Sequence, residues 1–137
     1  AKAAEANDRV YQGVAQVWEA LLMGTVADYW GAAPYSEAAD STKATPTYDR
    51  QSAIYARVQA VLDTAITNLQ SGTGNGPLFF DLVYGGDPES WVRAARTLKA
   101  RYFLHVSQAD PAALTAALAN ARQGIASPAG DFRTYQS

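Results

Sequence analysis

The chain has 137 residues, enough for one domain that buries a core without staples, and 48% hydrophobic with 18% charged residues argues against wholesale disorder. A net charge of −2 disfavours a nucleic-acid binder held by phosphate contacts. The absence of cysteine removes disulfides, thiolate nucleophiles and sulfur-ligated zinc, and the single histidine, His105, excludes imidazole-rich metal sites. No apolar run approaches the roughly 18–20 residues of a membrane span. The opening "AKAAEANDRV" has no apolar signal-peptide region, and a helical pattern is already running there.

The first predicted helix spans about residues 3–29. Val10, Val14, Val17 and Leu21 recur at helical spacing, with Tyr11, Trp18 and Leu22 on an adjoining stripe. Apolar residues over so wide an arc mark a helix covered on more than one side, and Gly31 ends it. The second helix, 49–71, carries the stripe Ile54, Val58, Val61, Leu62, Ala65, Ile66, Leu69, with Asp49 as expected N-cap and Gly72 as stop. The third, 88–108, begins at Asp87-Pro88, a cap followed by proline at the first helical position, and its stripe is Trp91, Ala95, Leu98, Tyr102. The fourth, 110–124, opens at Asp110-Pro111 and carries Leu114, Ala117, Leu118 and Ala121. Four helices and no convincing strand predict an all-α domain. The short link at 109–111 makes the last two helices an antiparallel hairpin. Trp18-x-x-Leu21 echoes the start of a tetratricopeptide repeat, but the loops from Gly31 to Tyr48 and Gly72 to Gly86 break any fixed period. Loops of that length are often functional.

Motif by motif, little chemistry emerges. "GTGNGP" (72–77) has alternating glycines but no following helix to build a phosphate cradle, so it reads as a flexible turn. Asp81, Asp87 and Glu89 lack the ligand spacing of an EF-hand, and Asp87 is already a cap. Arg93, Arg96, Lys99 and Arg101 spread around the third helix outside the Trp91 stripe and read as a solvated face. His105 lies beside the core stripe, where a hydrogen-bonded packing role is the default. Without cysteine or a second histidine, no nucleophile–base pair of the usual kind can be assembled. An enzyme would have to work through carboxylates alone, and their spacing does not ask for it.

In "ADYWGAAPYSEAAD" (27–40), Tyr29, Trp30 and Tyr35 cluster at a turn. Gly31 stops the helix and Pro34 forces Ala33 into an extended conformation, so aromatic rings there are expected mainly to cover a sharp reversal. The alternative is a stacking platform for a ligand, with Tyr35 and Tyr48 exposed on the long loop.

Three ordered blocks then carry a resemblance. "ADYWGAAPYSEAAD" is similar to the "YGdvPYsea" segment of SusD/RagB-like outer-membrane nutrient-binding lipoproteins. "PTYDRQSAIYARVQAVLDTAI" resembles their "pkYdsqeaiYeqilaeLdeAi", and "DLVYGGDPESWVRAARTLKARYFLHVS" resembles "DliYgGDwtkWikfANSLklRlalRlS", the block of a "GGDW…W" subgroup. The resemblance covers nearly the whole chain but only about a quarter of a typical family member, so residues 1–137 read as one helical domain of a larger protein. The sequence departs from the pattern at Ala32-Ala33, at Pro88 in place of tryptophan, at Arg96 in place of asparagine and at His105 in place of arginine.

The resemblance implies an all-α array of antiparallel, tetratricopeptide-like helix pairs with long loops. It implies a glycan-binding protein without cofactor or catalytic residues, held at the outer-membrane cell surface by a lipid on a cysteine that this sequence lacks. The implied partners are a SusC-like TonB-dependent transporter and an oligosaccharide or other polymer-derived nutrient. Trp30, Tyr35 and Tyr48 become the candidate ligand-binding residues, and Arg93 and Arg96 the candidate transporter-facing ones. The alternative is a free-standing helical protein–protein module without a nutrient ligand.

Overall fold

The computed structural model describes residues 7–134. Four α-helices follow in order: α1 (Arg9–Trp30), α2 (Gln51–Gln70), α3 (Pro88–Val106) and α4 (Ala113–Ala121), with 3-10 turns at Leu78–Phe80 and Pro128–Gly130. The fold is all-α. Among the described residues the sole β feature is an isolated antiparallel bridge between Ala33 and Asp49.

The start of α1 is set by Asp8, whose carboxylate accepts from the Tyr11 N–H at 2.9 Å. Residues 3–6 of the expected first helix lie outside the described residues. The stop is as expected: Gly31 sits at φ +73°, a conformation that suits only glycine, and its N–H bonds back to the Ala27 carbonyl. Asp87 caps α3 through the Ser90 N–H at 2.9 Å, with Pro88 in the first turn.

Two boundaries differ from expectation. Asp49 does not cap α2; the N-cap is Arg50, which makes no side-chain cap bond, because the Asp49 carboxylate turns back to Tyr35 and Ser36. At α4, the Asp110 carboxylate accepts from Ala112 N–H and holds a turn, so the helix proper begins at Ala113 and ends at Ala121 instead of spanning 110–124.

Cross-chain bonds show the order of packing. Asn68 Nδ2 donates to Gln16 at 2.9 Å at one end of the α1–α2 pair, and Gln51 Nε2 donates to the Ala27 carbonyl at 2.8 Å at the other, so the two helices are antiparallel. Gln59 to Lys99 and Tyr55 to Tyr102 set α2 against α3, and Arg96 to Asn120 sets α3 against α4. The core between them is built on Val17, Ile54, Val58, Leu62, Leu69, Trp91 and Tyr102, all fully buried. At Gly24 the α1 backbone comes so close to the Tyr102 ring that a Cβ would overlap it, and the Tyr102 hydroxyl donates to the Leu21 carbonyl at 3.2 Å.

Lys99 is a further departure from the expected solvated face. It is buried, with its ammonium 2.8 Å from Asp63 and 3.4 Å from the Gln59 carbonyl. Its stem also brings the charge over the Phe103 ring at 5.5 Å, so the side chain bridges α3 to α2.

Candidate functional site

The three candidate aromatics separate into two kinds. Trp30 and Tyr48 are exposed, at 72% and 68%. So is Tyr29, at 78%, with its ring centroid 5.7 Å from that of Trp30. The expectation that Tyr29 and Trp30 cover a chain reversal is therefore corrected. Ala27 is the last buried residue of α1, and the Tyr29 and Trp30 rings beyond it point to solvent.

Tyr35 behaves oppositely. It is 9% exposed, and its hydroxyl donates to Glu19 of α1 at 2.6 Å while the Arg57 guanidinium of α2 lies 4.8 Å over its ring. Burial, followed by the Glu19 carboxylate, pushes its pKa up to about 12. Its ring supports the loop from beneath.

Asp49 organises this end of the molecule. Its Oδ2 accepts from the Tyr35 and Ser36 N–H groups at 3.0 and 2.6 Å, and its Oδ1 accepts from the Ser36 hydroxyl at 2.9 Å. The Ser36 N–H and hydroxyl, then the Tyr35 N–H, hold the carboxyl below its usual range; Arg57 lowers it further. The loop tip has local fastenings of its own: Glu37 accepts from Lys43 Nζ at 3.0 Å and Thr47 N–H at 2.9 Å.

Arg93 and Arg96 are half-buried, not fully exposed. Arg93 donates to Ser90 Oγ at 2.8 Å with Asp87 at 3.7 Å, and Arg96 donates to Asn120 Oδ1 at 3.1 Å. His105 joins a polar cluster that ties three helices: Asp28 Oδ1 meets His105 Nδ1 at 2.7 Å and accepts from Tyr55 Oη at 2.5 Å, while Asp28 Oδ2 accepts from Arg101 at 3.0 Å. Burial and then the Asp28 hydrogen bond drive the Tyr55 hydroxyl well above the usual phenol range.

The second long loop is fastened by carboxylates as well. The glycines of "GTGNGP" do cradle an anion, but it is the chain's own Asp8, which accepts from Asn75 N–H at 3.3 Å and Gly76 N–H at 3.1 Å. The loop is pinned to the start of α1, not a free turn. Asp81 accepts from Val83, Tyr84 and Gly86 N–H groups and from Trp91 Nε1 at 2.6 Å. That ties the "DLVYGGD" segment to a cluster of Trp18, Tyr84, Trp91 and Phe132, whose ring centroids lie 5.1–6.1 Å apart.

One feature escaped the sequence reading. Leu78, Phe79, Phe80 and Leu82 are all exposed, with the two phenylalanine rings 4.1 Å apart and Leu78 at φ +47°. Of these, Phe80 and Leu82 border an open groove of about 750 Å³ whose other wall is Tyr11, Trp18 and Leu22 of α1. The signal was present as an apolar run, "PLFFDL", inside a loop.

The sequence profile of the SusD-like family, described as starch-binding and associating with the outer membrane, matches residues 1–131. The chain belongs to the SusD-like family. It is similar to the crystal structure of a SusD/RagB family protein from Bacteroides thetaiotaomicron, with 32% identity and a TM-score of 0.82 over 90% of this chain and 26% of that one. A SusD homolog from Bacteroides uniformis gives 27% identity and a TM-score of 0.83, covering 95% of this chain and 28% of that one. A chitin-binding SusD homolog from Flavobacterium johnsoniae gives 29% identity and a TM-score of 0.73, covering 82% and 25%. This SusD-like chain thus spans about a quarter of the length of the solved relatives it matches. No curated protein matches it.

Proposed function

We propose that the chain is part of a cell-surface nutrient-binding lipoprotein that captures glycan at the outer membrane and hands it to a SusC-like TonB-dependent transporter. The observation that carries this reading is the family match along residues 1–131 together with the shared fold. The chain supplies mainly the helical scaffold, and it works by binding, not catalysis. No helix among the described residues is long and apolar enough to cross a membrane; the family resemblance is what suggests attachment through a lipid anchor.

Trp30 and Tyr48 are the proposed ligand contacts, because exposed rings at the two ends of a fastened loop suit stacking on sugar faces. Tyr35, first a candidate for the same role, is better placed as their support. Arg93 and Arg96 remain candidates for the transporter-facing surface, as half-buried charges that steer more than they bind. The chitin-binding relative makes chitin oligosaccharides the first probes.

The test is a glycan array and a transporter pull-down with the longer parent protein. Capture of a defined glycan together with co-purification of a TonB-dependent transporter is the expected result. Retention of neither, with a stable protein partner recovered instead, would favour the second reading, a helical protein–protein module. The exposed apolar groove bordered by Phe80 and Leu82 is the observation on that side.

A further inference from the structure

The connection between α1 and α2 leaves at the exposed Tyr29–Trp30 pair and returns through exposed Tyr48. Between those rings the loop is fastened at its base. Ala33 and Asp49 exchange both backbone hydrogen bonds, at 3.2 and 3.0 Å, as in the narrow pair of an antiparallel ladder. The Asp49 carboxylate then reaches beyond that pair to bind the Tyr35 and Ser36 N–H groups and the Ser36 hydroxyl. Tyr35 is fixed in turn to α1 through Glu19 and to α2 through Arg57.

Asp49 stands one residue before Arg50, the N-cap of α2, and that helix start has no side-chain cap. The carboxylate instead locks the outgoing and returning strands together at the base of the loop. Trp30 lies three residues before Ala33, and Tyr48 immediately precedes Asp49. Their Cα atoms are therefore at most about 20 Å apart, a span of a few sugar units.

We propose that Asp49 is a positioning residue that sets the spacing of Trp30 and Tyr48, so that the two rings meet an extended oligosaccharide already in place. The inference rests on the glycan-binding reading above and adds the element that makes two separate rings one platform. Rings held at a preset spacing lose less freedom on binding than rings on a loose loop. Among the described residues the Asp49 carboxylate hydrogen-bonds to residues 35 and 36 alone, so it fastens the loop base, which Tyr35 in turn joins to α1 and α2.

The chain contains no cysteine, so a Trp30→Cys/Tyr48→Cys pair of nitroxide labels reports the distance between the two positions without background. With Asp49 intact, one narrow distance distribution is expected. Asp49→Ala should broaden it at least twofold while the thermal midpoint stays within a few degrees. Should Asp49→Ala fail to fold, Asp49→Asn, which keeps the size and one acceptor, should broaden the distribution by a smaller amount. A distribution unchanged in the folded Asp49 variant overturns the proposal whatever the ligand does. A second arm titrates chitohexaose into unlabelled protein, where Asp49→Ala should weaken binding at least tenfold, matching Trp30→Ala and Tyr48→Ala. Binding that falls with the ring variants but not with Asp49→Ala also overturns the positioning role. Binding indifferent to all three would instead sink the glycan reading and leave the distance result to judge Asp49.

Discussion

The two long loops make an instructive pair. Residues 31–50 and 71–87 are both fastened by carboxylates that accept backbone N–H groups, and both carry exposed rings. They differ in what lies beneath. Asp81 joins its loop to the indole of Trp91 in the core, and Tyr84 donates to the Gly130 carbonyl at 2.9 Å, so the second loop covers the aromatic cluster. Asp49 bonds only within its own loop, and that loop stands clear of the core except at Ala33 and Tyr35. Fastenings of the same chemistry therefore serve opposite ends: one loop closes the fold and the other presents a surface. Exposed aromatics alone do not tell them apart; the partner of the carboxylate does.

Perturbing the closing loop should have the largest effect. Trp91→Ala removes a fully buried indole and leaves the Asp81 carboxylate short of a donor, and we predict a loss of about 3–5 kcal/mol in denaturant unfolding. Gly24→Ala comes next. The new methyl meets the Tyr102 ring, and overpacking of this kind is expected to cost about 1–3 kcal/mol, measured the same way. A variant as stable as the parent would mean that α1 can slide away from α3.

The presenting loop should respond to acid before the core does. Asp49 and Glu37 both have lowered carboxyl pKa values, Asp49 chiefly through the Ser36 N–H and Glu37 chiefly through the Thr47 N–H. A depressed carboxyl pKa stabilises the fold above the unfolded value, near 4, and that contribution is lost as pH falls through the lower folded value. Amide exchange at Tyr35, Ser36 and Thr47 should therefore rise below about pH 4 while exchange in α2 stays slow. Simultaneous opening of α2 would contradict a separate loop.

Much of this contrast was hidden in the sequence for identifiable reasons. The helices were legible because Val10, Val14 and Val17, or Trp91, Ala95 and Tyr102, repeat at helical spacing and bury together. Asp49 was misread because an acidic residue just before a helix is an ordinary cap, whereas its actual partners lie 13 and 14 residues earlier. Lys99 was misread because Asp63 and the Gln59 carbonyl, which draw it inward, belong to another helix. Asp8 filling the glycine cradle is likewise a contact across 68 residues. Helical spacing is a local property, while the partner of a charge is a tertiary one. The family blocks named the fold, and neither they nor the periodicity separated Tyr35 from Trp30.

The smallest effects are expected at positions outside the buried core. Trp30→Ala and Tyr48→Ala should each change stability by no more than about 0.5 kcal/mol, since both rings are largely exposed. Charge reversal at Arg93 and Arg96 should lower transporter recovery modestly and in a salt-dependent way. Unchanged recovery would remove both from the transporter-facing surface.

The most direct test of the account is calorimetry of a Trp30→Ala/Tyr48→Ala double variant against a glycan that the unsubstituted protein retains. We predict an unchanged melting midpoint with affinity reduced at least about tenfold, roughly the 1.4 kcal/mol expected from losing two ring contacts. Full affinity with both rings removed would contradict the claim that this loop presents the ligand surface.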